Sequence, residues 1–178
     1  NMSKNKILIL TLLLHLLFVG SVQAKCDFKS FKFGDSYKST VSKLKIDSEF
    51  VEPEIKGASQ QFLFVAGEDF CKKETVFQGV PIQFVFLYNK LVEIQLMSLS
   101  EAPKLVMWAE SIYGVKENKP NSFYDEFPIA RWSWEDSKAV IAYSVESVAS
   151  DVVESVIIQS LNHQQSYEKF AIEQEGGK

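Results

Sequence analysis

Nucleophilic hydrolysis needs a serine or cysteine with a base in reach. The sequence holds no Gly-x-Ser-x-Gly, and beyond the N-terminal segment its one histidine is His163. That residue stands among Asn162, Gln164 and Gln165, after the last expected strand, where a solvated side chain is the simpler reading. Adjacent acids occur at Glu68-Asp69, Asp125-Glu126 and Glu135-Asp136. A glycosidase pair must face across a cleft, which neighbours in sequence do not establish, so these read as turn acids facing water. Asp47, Glu49, Glu52 and Glu54 offer oxygen ligands for calcium. They lack the EF-hand spacing and its central glycine, and a solvated acidic loop is expected there. No glycine-rich loop cradles a phosphate. The expectation is therefore a chain with no catalytic residue, no metal ligand and no cofactor.

Cys26 and Cys71 are the remaining reactive pair. Their compartment is set by what precedes them. Asn1–Ala24 has the form of a secretory signal: Lys4 and Lys6, an apolar core over Ile7–Val19, and Val22-Gln23-Ala24 as a small-x-small cleavage site. Cleavage after Ala24 delivers a periplasmic or secreted protein. The apolar run is too short to favour a membrane anchor. Lys25 stands where a lipidated Cys26 would need a small residue. In an oxidising space two cysteines with no Cys-x-x-Cys spacing are expected to pair with each other. The loop closed is about 45 residues, worth about 4 kcal/mol of chain entropy. The whole chain has a net charge of −4, Arg131 is its one arginine, and the basic residues are scattered. Nucleic acid and anionic membrane are poor partners for such a surface.

Aromatic side chains are the feature beyond the ordinary. Phe84, Phe86, Tyr88, Trp132 and Trp134 all fall on expected strands. They are either core or an exposed sheet face that anchors another protein. The question turns on the hairpin Pro81–Leu99, in which two alternating apolar runs flank Asn89-Lys90. A two-residue turn there sets Phe84 and Phe86 beside Gln95 and Glu93. A three-residue loop shifts the pairing by one and sets them beside Val92, Ile94 and Leu96. In either register both faces of the first strand are apolar.

The elements that position these residues can be read in order. Cys26–Phe33 alternates and is expected to be a short edge strand. Asp35 or Ser36 caps a helix over Ser36–Lys45, with Tyr37, Val41 and Leu44 at helical spacing. Ile46–Ser59 is a polar loop and Gln60–Ala66 a strand. After the hairpin, Leu105, Trp108, Ala109, Ile112 and Tyr113 mark the clearest helix, capped by Ser100 at its start and closed by Gly114. Val115–Pro128 is a loop, and Arg131–Glu135, Lys138–Ser147 and Val152–Leu161 are strands. The expected layout is a signal over 1–24, one α+β domain over 25–161, and a polar tail over 162–178, frayed or a short helix. The domain is an antiparallel sheet of about six strands with two helices on one face. The order helix and three strands occurs twice, as a degenerate duplication would give.

Phe33-Gly34-Asp35, Val41, Leu44, the strand and turn Phe84–Leu91, and Ile94 resemble the β-lactamase-inhibitor-protein-like and SmpA/OmlA-type families of small exported bacterial α+β modules. The resemblance implies helices on one face of an antiparallel sheet, with the other face or the loops free to bind proteins. It transfers no functional residue, and without a lipobox it transfers no membrane anchor. The expected function is a non-enzymatic binding module of the cell envelope, such as an inhibitor, adaptor or assembly factor. A carrier of a small apolar ligand is the alternative, and a hydrolase-like enzyme the third reading.

Overall fold

The structure is a computed structural model that describes residues 26–44, 46, 51–115, 117, 129–133, 138–148 and 150–176, with backbone alone for 129–133. The signal segment, Asp47, Glu49 and Trp134 lie outside these residues. No helix among them is long and apolar enough to cross a membrane.

The chain is α+β, with one open antiparallel sheet. Its strands are β1 (Gln60–Ala66), β2 (Pro81–Leu87), β3 (Lys90–Ser100), β4 (Ile129–Ser133), β5 (Ala139–Val148) and β6 (Asp151–Ser160), in spatial order β1-β2-β3-β6-β5-β4. That order follows when two helix-and-three-strand halves join through their third strands. The join is the antiparallel β3–β6 ladder, from Glu93 opposite Gln159 to Ser100 opposite Val152.

Helix α1 (Tyr37–Leu44) forms because Tyr37, Thr40 and Leu44 present one buried stripe. Ser36 is its N-cap: the Ser39 amide donates to Ser36 Oγ at 3.2 Å. A second cap comes from the hairpin turn, where Asn89 Oδ1 accepts the Tyr37 amide at 2.9 Å. Helix α2 (Gly67–Phe70) is a single turn, followed by a 3-10 turn over Thr75–Phe77. Gly67 cannot carry a side chain, since a Cβ there would stand 2.5 Å from the Phe77 carbonyl oxygen. Helix α3 (Leu105–Tyr113) buries Leu105, Trp108 and Ala109 and ends at Gly114, whose φ of 98° suits glycine.

The hairpin takes neither anticipated turn. Its two central residues are Tyr88 and Asn89, both left-handed at φ 50° and 59°, and Leu87 pairs with Lys90. A bulge then shifts the register, so that Phe84 faces Ile94 and Ile82 faces Leu96. Phe84 thus reaches the pairing expected of a longer loop, by an earlier type I′ turn and one extra residue on β3, whereas Phe86 pairs with Leu91. The bulge lets Leu91 and Val92 both be buried, one in each layer.

The inner face of the sheet carries Leu63, Val65, Ile82, Phe84, Phe86, Ile94, Leu96, Ile141, Tyr143, Val156 and Ile158 into the main core with α1 and α3. Phe84 and Phe86 are fully buried: Phe86 packs 5.1 Å from the Tyr37 ring, and Phe84 lies 5.0 Å from Phe31. Their expected role in partner binding is corrected by this burial. Residues 26–35 are likewise not a strand. Phe28 and Phe31 are both buried, and the Phe31 amide donates to the Phe28 carbonyl at 3.1 Å. A spacing of three residues requires a turn, because strand spacing would place them on opposite faces.

Helices are not confined to one face. Helix α4 (Gln164–Gly176) lies on the outer side, where the tail was expected. Tyr167 and Phe170 pack on Val85, Leu87 and Val92, and Tyr167 Oη donates to the Val92 carbonyl at 3.0 Å. Cys26 and Cys71 are bonded, with Cα atoms 5.9 Å apart, so the N-terminal segment is tied to the end of α2.

Candidate functional site

The cross-strand register defines the outer face of the sheet. Phe62 and Phe64 on β1, Val85 and Gln83 on β2, Met97 and Leu99 on β3, and Val153 and Ile157 on β6 share it. Helix α4 covers the end nearest the Tyr88-Asn89 turn. The other end carries no helix among the described residues. There Phe64 is 60 % exposed, Met97 54 % and Leu99 64 %, and the Phe62 and Phe64 rings lie 6.2 Å apart. Phe64, Ala66, Gly79 and Pro81 border an open groove of about 400 Å³ beside this patch. β1 is also an edge strand, and no described backbone outside β2 pairs with it. Gln61 of β1 bonds the Pro53 carbonyl and the Ile55 amide through its side chain, which leaves the β1 backbone without a second strand among the described residues, and an apolar patch beside such an edge is an adhesive surface.

Of the aromatics singled out from sequence, Tyr88 alone is shown at the outer side. Its ring is half-buried, with Lys169 of α4 3.9 Å from the centroid. Burial, and then the Glu173 carboxylate, push its phenol up to about 12. Trp132 pairs opposite Ile141 in the β4–β5 ladder. The residues that do form the outer patch, Phe62, Phe64, Met97 and Leu99, were passed over. The sequence holds a signal for them: β1 alternates Phe62 and Phe64 against Leu63 and Val65, which puts an aromatic row on one face and an aliphatic row on the other.

Two polar constellations carry possible chemistry. Glu154 is fully buried on β6. Its Oε2 accepts the amides of Lys104 and Leu105 at 2.6 and 3.1 Å, and its Oε1 accepts the Val106 amide at 3.1 Å and Tyr143 Oη at 3.0 Å. It replaces the cap that Ser100 was expected to supply: a carboxylate from another strand holds the open amides of α3 and meets the positive end of its dipole. Burial first, then the Glu154 charge, raises the Tyr143 phenol. Every strong acceptor direction of Glu154 is occupied, which suits a structural carboxylate.

The second constellation is Ser160 with His163. Ser160 Oγ and His163 Nδ1 are 2.7 Å apart. The histidine is half-buried rather than solvated, with its ring beside Gly34, where an added Cβ would meet Nε2 at 3.2 Å. Burial, and then Lys90, lower its pKa. Ser160 is 3 % exposed, so its hydroxyl has no approach for a substrate, and the pair fastens the end of β6 to the turn before α4.

A larger open groove, of about 710 Å³, runs between the 3-10 turn and α3, with Val76, Pro103, Met107 and Trp108 among its walls. Among the described residues no cluster of His, Cys, Asp and Glu is suited to a metal ion. Glu52 and Glu54 of the expected acidic loop are exposed, and Glu54 accepts from Asn89 Nδ2 at 3.0 Å.

Compared with known proteins, the chain matches no protein family, no curated protein and no solved structure.

Proposed function

We propose that this chain is an exported, non-enzymatic binding module of the bacterial cell envelope, and that it presents the uncovered end of its outer sheet face to another protein. The observation that carries this reading is the exposed apolar set of Phe62 and Phe64 on the edge strand β1 with Met97 and Leu99 on β3, where no further strand pairs with β1 among the described residues. Large apolar side chains on a regular sheet cost solubility, and aromatic anchors at the centre of a patch supply most of the energy in protein docking. The disulfide between Cys26 and Cys71 suits an oxidising compartment, and the Asn1–Ala24 segment suits export. The resemblance of the sequence to β-lactamase-inhibitor-protein-like and SmpA/OmlA-type modules implies the same kind of role, here restricted to the part of the outer face that α4 does not cover.

The test is a quantitative pull-down from envelope extract, comparing the protein with a Phe64→Ser/Leu99→Ser variant. The reading expects bound partner to fall about tenfold or more, the scale of losing one or two anchors, while the melting temperature holds. Equal capture by both proteins, or capture by neither, overturns it.

A further inference from the structure

The groove between the 3-10 turn and α3 is separate from the sheet face and independent of the protein-binding reading. Its walls are Val76, Pro103, Met107 and Trp108, and Met107 is 70 % exposed over it. Its volume, about 710 Å³, falls in the range of small-molecule sites, about 300–1,000 Å³.

Three charged residues border this apolar groove, two lysines and one glutamate. Lys73 and Lys104 both border it. Lys104 Nζ donates to the Gln78 carbonyl at 2.8 Å, which uses one of its three protons. Among the described residues neither lysine is held in an ion pair. The acid on the groove, Glu74, accepts the backbone amide of Cys26 through Oε1. On a chain with a net charge of −4, the rim of this apolar hollow thus carries two ammonium groups against one hydrogen-bonded carboxylate, an excess of one positive charge.

The wall is also fixed in place. Trp108 Nε1 donates to the Cys26 carbonyl at 2.9 Å, and Trp108 packs edge-on against Phe77 at 5.3 Å. The Cys26–Cys71 bond secures the segment from which Lys73 and Glu74 follow. A preorganised apolar floor with cationic rim groups selects a ligand with an apolar body and an anionic head.

We infer that this groove binds a free aliphatic carboxylate, its chain along Val76, Met107 and Trp108 and its head between Lys73 and Lys104. The carboxylate gains two charge-assisted donors, and the chain removes Met107 from water.

The test is calorimetric titration of the oxidised protein with dodecanoate below its micelle concentration, beside methyl dodecanoate as the uncharged probe. The expected result is saturable one-to-one binding of dodecanoate, weaker by about tenfold or more for the ester and for Lys73→Ala/Lys104→Ala. Met107→Asp should abolish binding, and all variants should keep the wild-type circular dichroism. Lys73→Ala alone, which leaves the Lys104–Gln78 bond intact, should weaken binding severalfold should the double variant misfold. Absence of saturable binding, equal affinity for the ester, or wild-type affinity in Lys73→Ala overturns the inference. So does sedimentation with phosphatidylglycerol vesicles in the absence of free-dodecanoate binding, which would make the lysines a lipid-surface contact.

Discussion

Glu154→Ala should destabilise the protein by about 4 kcal/mol, and the figure follows from what the carboxylate holds. Removing it strands the amides of Lys104, Leu105 and Val106 and takes the acceptor from Tyr143 Oη. Leu105 is fully buried, so its amide has no water to turn to, and a stranded buried donor costs about 1–3 kcal/mol. The two flanking residues are half-buried and recover part of their loss from solvent. The helix also loses an anion at its positive end, worth about 0.3–1 kcal/mol at a surface and up to about 2 when sheltered. Glu154→Gln keeps one oxygen but turns an amide donor toward the donors of α3, and about 2 kcal/mol is expected. Tyr143→Phe removes a donor while Glu154 Oε1 keeps the Val106 amide, for about 1 kcal/mol. At about 2–4 °C per kcal/mol for a chain of this size, the alanine variant should melt roughly 8–16 °C below the parent. Urea and thermal unfolding followed by circular dichroism would measure the series. An alanine variant within about 1 kcal/mol of the parent refutes the capping account. Equal costs for Gln and Ala would place the effect in charge alone and remove the hydrogen-bond count from it.

Three further outcomes follow from the same structure. Phe86→Ser, in the core beneath Tyr37, should cost about 4 kcal/mol or more, whereas Phe64→Ser should leave the melting temperature within a few degrees; comparable losses would mean the two faces are assigned wrongly. Thiol titration of denatured, unreduced protein should find no free thiol, and reduction should lower stability by about 4 kcal/mol, since the bond spans 45 positions; unchanged stability on reduction would contradict the chain-entropy account. His163 has a pKa below its ordinary 6.5 in the folded state, so the unfolded chain binds more protons and its contribution to stability falls as pH drops from 6.5 toward the lowered value. Melting temperatures taken between pH 7.5 and 5 should therefore decline less steeply in His163→Gln than in the parent, and parallel curves would count against the assignment.

The sequence was most legible where one period dominated. Helices α1 and α3 show an apolar stripe at helical spacing, and β1 is a short apolar run closed by Gly67, so their positions agree with expectation to within a residue or two. It was least legible where a local irregularity changed the phase. The hairpin register depends on the bulge between Val85 and Phe86 and on Tyr88 and Asn89 both adopting left-handed backbone, and neither leaves a composition signal. Apolar residues on both faces of β2 made Phe84 and Phe86 candidates for either side. Phe28 and Phe31 satisfy a loose alternation and a turn equally well until the core places both inside. Glu154 stands in phase with Val152, Val156 and Ile158, and a carboxylate in phase with a buried row needs buried donors. Those donors lie about fifty positions away at the start of α3, and pairing over that distance is a tertiary fact.

The two halves of the sheet share an element order and differ in what β1, β3 and β5 put on the outer face. In the second half, β5 offers Val140, Ala142, Ser144 and Glu146 to that side, a row of small or polar groups, and β6 adds the partly buried Val153 and Ile157. In the first half, β1 and β3 offer Phe62, Phe64, Met97 and Leu99. A sheet needing only solubility would carry the second pattern on both halves. Helix α4 underlines the asymmetry, since it crosses from the end of β6 to cover Val85, Leu87 and Val92 and stops short of the exposed phenylalanines. The fold already supplies a cover for part of its apolar outer face, and that cover is positioned over β2 and the start of β3. Among the described residues, what stays uncovered is the side with the β1 edge, where an incoming chain can extend the sheet and bury aromatic side chains in one step. Phe64 belongs to both features, being a residue of the edge strand and the most exposed ring on the face, so it is the first position at which a partner should be sought.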